Sequence, residues 1–101
     1  MGRKTVDNSE LDRWRLLESA DVLTLLADHA KQDPSFLPRS SQRSTRWHAT
    51  AGQSDFELLC TGPKFWDTRA NTGGGGALDL AVHLYALDFK RAALLLRSKG
   101  V

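Results

Sequence analysis

Trp66-Asp67-Thr68-Arg69-Ala70-Asn71-Thr72-Gly73-Gly74-Gly75-Gly76-Ala77-Leu78-Asp79-Leu80 leaves an aromatic segment, crosses four consecutive glycines and enters an apolar stretch with helical spacing. Peptide amides in the first turn of a helix lack intrahelical acceptors and lie at the positive end of the helix dipole. A glycine-lined entry lets a phosphate or carboxylate come close to them. The stretch therefore reads as a strand-to-helix junction. Two readings of Gly73, Gly74, Gly75 and Gly76 stay open, a backbone contact with a nucleic-acid phosphate or a plain hinge. The lysine and Ser/Thr of a nucleotide-hydrolysing phosphate loop are absent. Asp79 suits the dipole of the helix that follows, and Asp67 is placed to accept amides of the loop before the glycines.

On the C-terminal side, Ala77 to Tyr85 has amphipathic helical spacing, and Asp88 to Arg97 repeats it, with Asp88 as N-cap and Gly100 as stop. On the N-terminal side, Thr45-Arg46-Trp47-His48-Ala49, Phe56-Glu57-Leu58-Leu59-Cys60 and Lys64-Phe65-Trp66-Asp67 read as short antiparallel strands. Turns at Ala51-Gly52-Gln53-Ser54 and Thr61-Gly62-Pro63 separate them. Trp47, Phe56, Leu58, Phe65 and Trp66 supply aromatic and aliphatic area to pack one sheet face against helices. Ser9 to Lys31 reads as helical, with a break expected near Glu18 to Ala20 and Ser19 or Asp21 as the second cap. Asp33-Pro34 ends that pattern, and a loop to Arg43 is expected. The fold class is thus α+β, with a small antiparallel sheet of three to four strands flanked by N-terminal and C-terminal helices.

A chain of 101 residues, 41% hydrophobic and 26% charged, fits one soluble domain over residues 1–101, with 1–8 flexible. No apolar run is long enough to span a bilayer, and Met1 to Thr5 leads into a polar segment unlike a secretory leader. A cytoplasmic protein with no membrane partner is expected. Cys60 is the single cysteine and reads as a small buried hydrophobe.

The net charge of +2 is mild, so its distribution matters more. Pro34 to Ser54 contains no acidic residue, while Arg39, Arg43 and Arg46 stand beside Trp47 and His48 among hydroxyl residues. Guanidinium groups, hydroxyls and an aromatic face suit phosphates and stacked bases, although a solvated loop leading into a strand has the same composition.

Gly74, Gly75, Ala77, Leu78 and Leu80, followed by Phe89, Ala92 and Leu96, carry a resemblance. Behind the strand Lys64-Phe65-Trp66-Asp67, this ending is similar to the CHC2 zinc-finger-like domain of bacterial and mobile-element DNA primases. The resemblance covers about two thirds of the chain and is strongest from Phe56 onward. It implies a zinc-ribbon-like fold and a noncatalytic module holding single-stranded template DNA for a TOPRIM-type primase domain or another replication protein, in plasmids or mobile elements. The zinc-bearing form needs four ligands, usually in Cys-x-x-His and Cys-x-x-Cys pairs. Here Asp67-Thr68-Arg69-Ala70-Asn71-Thr72 occupies the place of the second pair, and Cys60, His29, His48 and His83 form no paired motif. The resemblance is therefore to a zinc-less variant, with no metal and no cofactor expected.

On this reading Arg39, Arg43, Arg46, Lys64 and Arg69 contact phosphates, Trp47 or Trp66 stacks on a base, His48 lies at the surface, and Gly73 to Gly76 offer backbone. Core packing competes for both tryptophans, and Trp14 reads as core or interface. No nucleophile and base pair or carboxylate cluster stands out, so no activity of the domain alone is expected. A second expectation is a protein-interaction adaptor, whose sign is an exposed apolar patch around Trp14 or Tyr85.

Overall fold

The computed structural model describes residues 8–37 and 43–101. Two short helices, α1 (Asn8–Leu16) and α2 (Ser19–Leu26), lead into a five-stranded antiparallel meander, and two further helices follow it. The strands are β1 (His29–Gln32), β2 (Thr45–Ala51), β3 (Ser54–Thr61), β4 (Lys64–Asp67) and β5 (Thr72–Gly75), paired in sequence order. The closing helices are α3 (Ala77–Tyr85) and α4 (Phe89–Ser98).

The α+β class stands, but the sheet has five strands where three to four were expected. The two additional strands are its edges. β1 falls in the segment read as the end of a helix. After Leu26 the chain turns extended at Ala27, and Asp28 and Asp33 donate their amides to Thr50 and Arg46, tying both ends of β1 to β2. Sheet pairing here overrides a helical spacing that had only His29 to extend it. β5 is the glycine run itself, paired with β4 in the register Trp66↔Gly73 and Lys64↔Gly75. Of the segment expected to be flexible, 1–7 lies outside the described residues and Asn8 opens α1.

The break between the first two helices falls at Leu17 and Glu18, meeting the expected Glu18 to Ala20 window only at its first residue. Ser19 does not cap α2. It is buried, its amide and hydroxyl donate to the Gly62 carbonyl at 2.7 and 2.9 Å, and the same hydroxyl reaches the Lys64 carbonyl at 2.8 Å. These bonds pin the start of α2 to the β3–β4 hairpin. Asp88 caps α4 as expected, accepting the Arg91 amide at 2.8 Å, and Gly100 ends the helix with φ of +75°.

The core lies between one sheet face and the helices. Ala49, Leu58, Cys60 and Phe65 from the strands meet Val22, Leu23, Leu26, Leu80, Ala81 and Leu84 from α2 and α3, while Trp14 and Leu96 close it from α1 and α4. Strand alternation sends the intervening side chains to the opposite face. From the register that face carries Lys31, Arg46, His48, Glu57, Leu59, Thr61, Lys64, Trp66, Gly73 and Gly75, and none of them is buried.

Candidate functional site

For Trp66, where base stacking and core packing competed, the side chain stands on the uncovered sheet face and is 43% exposed. The glycines explain how. A Cβ at Gly73 would lie 2.3 Å from the Phe65 carbonyl oxygen and 2.8 Å from Cε3 of the Trp66 ring. The indole thus lies against the bare backbone of β5, in space that only a strand glycine leaves open. Beside it, a Cβ at Gly75 would meet only Cγ of Lys64, at 3.8 Å.

A shallow groove of about 520 Å³ runs over this region, lined by Leu59, Thr61, Lys64, Trp66 and Gly73, with Ser44 at its rim. The Ser44 and Thr61 hydroxyls pair at 2.6 Å. Apolar floor, exposed indole, hydroxyls and an ammonium side by side can stack a planar ring and bind an anion attached to it. Among the described residues Lys64 makes no ion pair, and neither does Arg69, which is exposed in the turn after β4.

The other half of the face is charge-neutralised. Arg46 Nη2 meets Glu57 Oε2 at 2.8 Å, and His48 Nδ1 stands 3.7 Å from the same oxygen. The Arg46 hydrogen bond, then that of Thr68, holds the Glu57 carboxyl below the usual range and outweighs desolvation; Glu57 in turn raises Arg46. Arg43, before β2, lies 3.5 Å from Glu18. Arg39 falls outside the described residues. Trp47 is on the helix side of the sheet, half-buried against the core, with its ring N–H donating to the Thr45 hydroxyl at 2.8 Å. It does not share a face with Trp66.

At the helix entry the two amides that lead into α3 are taken up by the chain itself. Asp79 Oδ2 accepts the Gly75 amide at 3.1 Å and Pro63 accepts the Gly76 amide at 2.9 Å. Gly76 takes φ of +97°, a conformation that favours glycine, and so turns β5 into α3.

Behind Trp66, on the core side of β4, is a pair that sequence reasoning missed. His83 Nε2 donates to Asp67 Oδ2 at 2.6 Å, and Asp67 Oδ1 accepts the Arg69 and Ala70 amides at 2.9 and 3.0 Å. The two amide bonds match the role expected of Asp67; the histidine sixteen residues away gave no sign in the sequence. Burial is the largest single influence on Asp67 and pushes its pKa up, but the Ala70 amide, His83 and the Arg69 amide together bring it below the ordinary value. His83 also packs beside Phe56 and Phe65, with ring centroids 5.6 and 5.5 Å apart. The pair joins α3 to the β4–β5 turn.

Among the described residues no group of three or more His, Cys, Asp or Glu side chains gathers to hold a metal. Cys60 is buried in the core, where desolvation raises its thiol pKa. No described helix is long and apolar enough to cross a membrane. Of the two side chains expected to mark an adaptor's apolar patch, Trp14 is itself buried, 1% exposed, and Tyr85 is half-buried with its hydroxyl donating to the Leu26 carbonyl; the exposed apolar side chains of the helices are Leu16, Leu25, Phe89 and Leu94. No family model, curated protein or solved structure matches the chain.

Proposed function

We propose that the domain is a noncatalytic binding module for single-stranded nucleic acid, using the uncovered sheet face around Trp66. The observation that carries this reading is the exposed indole packed at Gly73, next to a Lys64 ammonium that makes no ion pair among the described residues. A base offers that ring a π face only when it is free of a duplex, and phosphates supply a negative partner for the Lys64 and Arg69 cations. Arg43, Arg46 and His48 each stand beside a carboxylate and are left outside the contact, and Trp47 is left to the core. The resemblance to the primase domain supports DNA as the ligand and a TOPRIM-type catalytic domain as the partner, with a zinc-ribbon-like arrangement held by packing in place of metal, in a cytoplasmic protein of a plasmid or mobile element.

The test is binding to single-stranded DNA across a salt series, with duplex of the same sequence beside it. Affinity should fall as salt rises, and Trp66→Ala should weaken it about thirtyfold, the middle of the range for loss of one base–aromatic stack. Equal binding of duplex, or binding indifferent to salt, contradicts the reading.

A further inference from the structure

The uncovered face is divided. Its β4–β5 half presents Trp66, Lys64 and glycine backbone, whereas its β2–β3 half presents the Glu57 carboxylate, with Asp55 two residues before it on the same strand face. Glu57 engages Arg46 at 2.8 Å, His48 at 3.7 Å and the Thr68 hydroxyl at 2.9 Å, so the guanidinium nearest it is already matched. A phosphate crossing from Trp66 toward β2 would meet acid before it met an available base.

Two cations that make no ion pair among the described residues bracket β4, while a third on the face, Lys31, stands on β1 at the far edge beyond Glu57. Lys64 begins the strand, and Arg69 stands two residues past its end, in the turn fixed by Asp67. At about 3.3 Å per residue, the four residues of β4 cover roughly 13 Å, a length that about three nucleotides of extended single strand can follow.

Resting on the nucleic-acid reading above, we infer that the site takes a segment of about three nucleotides lying along β4, with one base on Trp66 and one phosphate toward each of Lys64 and Arg69. Glu57 closes it on the β2 side. The ligand class is thus a short single-stranded segment or strand end, in contrast to a long strand wrapped across the sheet. Two phosphate contacts give a specific salt dependence, a slope of log affinity against log salt of about −1.4 for single strands.

The experiment measures affinity of the whole chain for oligothymidylates of two, three, four, six and twelve nucleotides at several salt concentrations, with Glu57→Gln and Lys64→Gln beside the unaltered protein and a thermal melt of each. Affinity should rise steeply to about three nucleotides and thereafter only in proportion to the number of overlapping sites. Lys64→Gln should flatten the slope by about 0.7, and Glu57→Gln should raise affinity for the twelve-nucleotide strand about threefold and steepen its slope by a similar amount, since the acid is removed and Arg46 keeps only Asp33, 4.0 Å away. Affinity that keeps climbing beyond six nucleotides with a slope steeper than about −3 overturns the short site while leaving nucleic-acid binding intact. Absence of binding at every length overturns both.

Discussion

At Gly73 the sequence and the uncovered face meet in one atom. A Cβ there collides with the backbone of β4, which cannot move aside cheaply, whereas a Cβ at Gly75 enters open space near a flexible lysine stem. Gly73→Ala should therefore lower the melting temperature, cost about 1–3 kcal/mol and displace the Trp66 ring, while Gly75→Ala should stay within about 0.5 kcal/mol. Denaturation curves of the two variants check the contrast. This division among neighbouring glycines was not legible in the sequence, where the four look equivalent. The orientation of Trp66 was hidden for a related reason. Lys64-Phe65-Trp66-Asp67 alternates in face but not in hydrophobicity, because Phe65 and Trp66 are both aromatic, so only the partner strand decides which ring turns inward. Trp14, Cys60 and the Asp88 cap were legible because each follows from its own local pattern.

Among the elements, the Asp67–His83 pair links β4, the following turn and α3, and it makes the sheet's free edge depend on acid. Asp67 has a pKa depressed by folding, so its contribution is fully present above the ordinary carboxylate value near 3.9 and is lost as pH falls through the lower folded value. Glu57, held down by Arg46, and Asp33, held down by the Ser35 hydroxyl and amide, act in the same direction. Stability measured by denaturant titration should fall below about pH 4. Asp67→Asn should cost about 2 kcal/mol at neutral pH, and its difference from the unaltered protein should narrow as pH drops through the acid range. A gap that stays constant with pH would remove Asp67 from this role. The helices α3 and α4 and the central strands were readable from periodicity and caps. β1 and β5 were not, since one carries a helix-like spacing and the other no side chains to pattern, and both exist through pairing with a neighbour.

Across the whole molecule, the helices and core occupy one side of the meander and leave the other to solvent, and the two sides divide the chain's aromatic residues between packing and surface. Trp14 and Trp47 serve the first and Trp66 the second. The basic stretch that stood out in the sequence is less available than its composition suggested, because Arg43 and Arg46 meet Glu18 and Glu57, acids contributed by other segments. Ion pairing across a sheet is a property of the register and cannot be read along one strand. What remains as the centre of the account is the β4–β5 half of the face. A heteronuclear NMR titration with short single-stranded DNA at low salt tests it most directly. The account predicts shifts concentrated on Leu59, Thr61, Lys64, Trp66 and its indole N–H, Gly73 and Gly75, with those of α1 and α4 unmoved; shifts confined to the helices, or none at all, would contradict it.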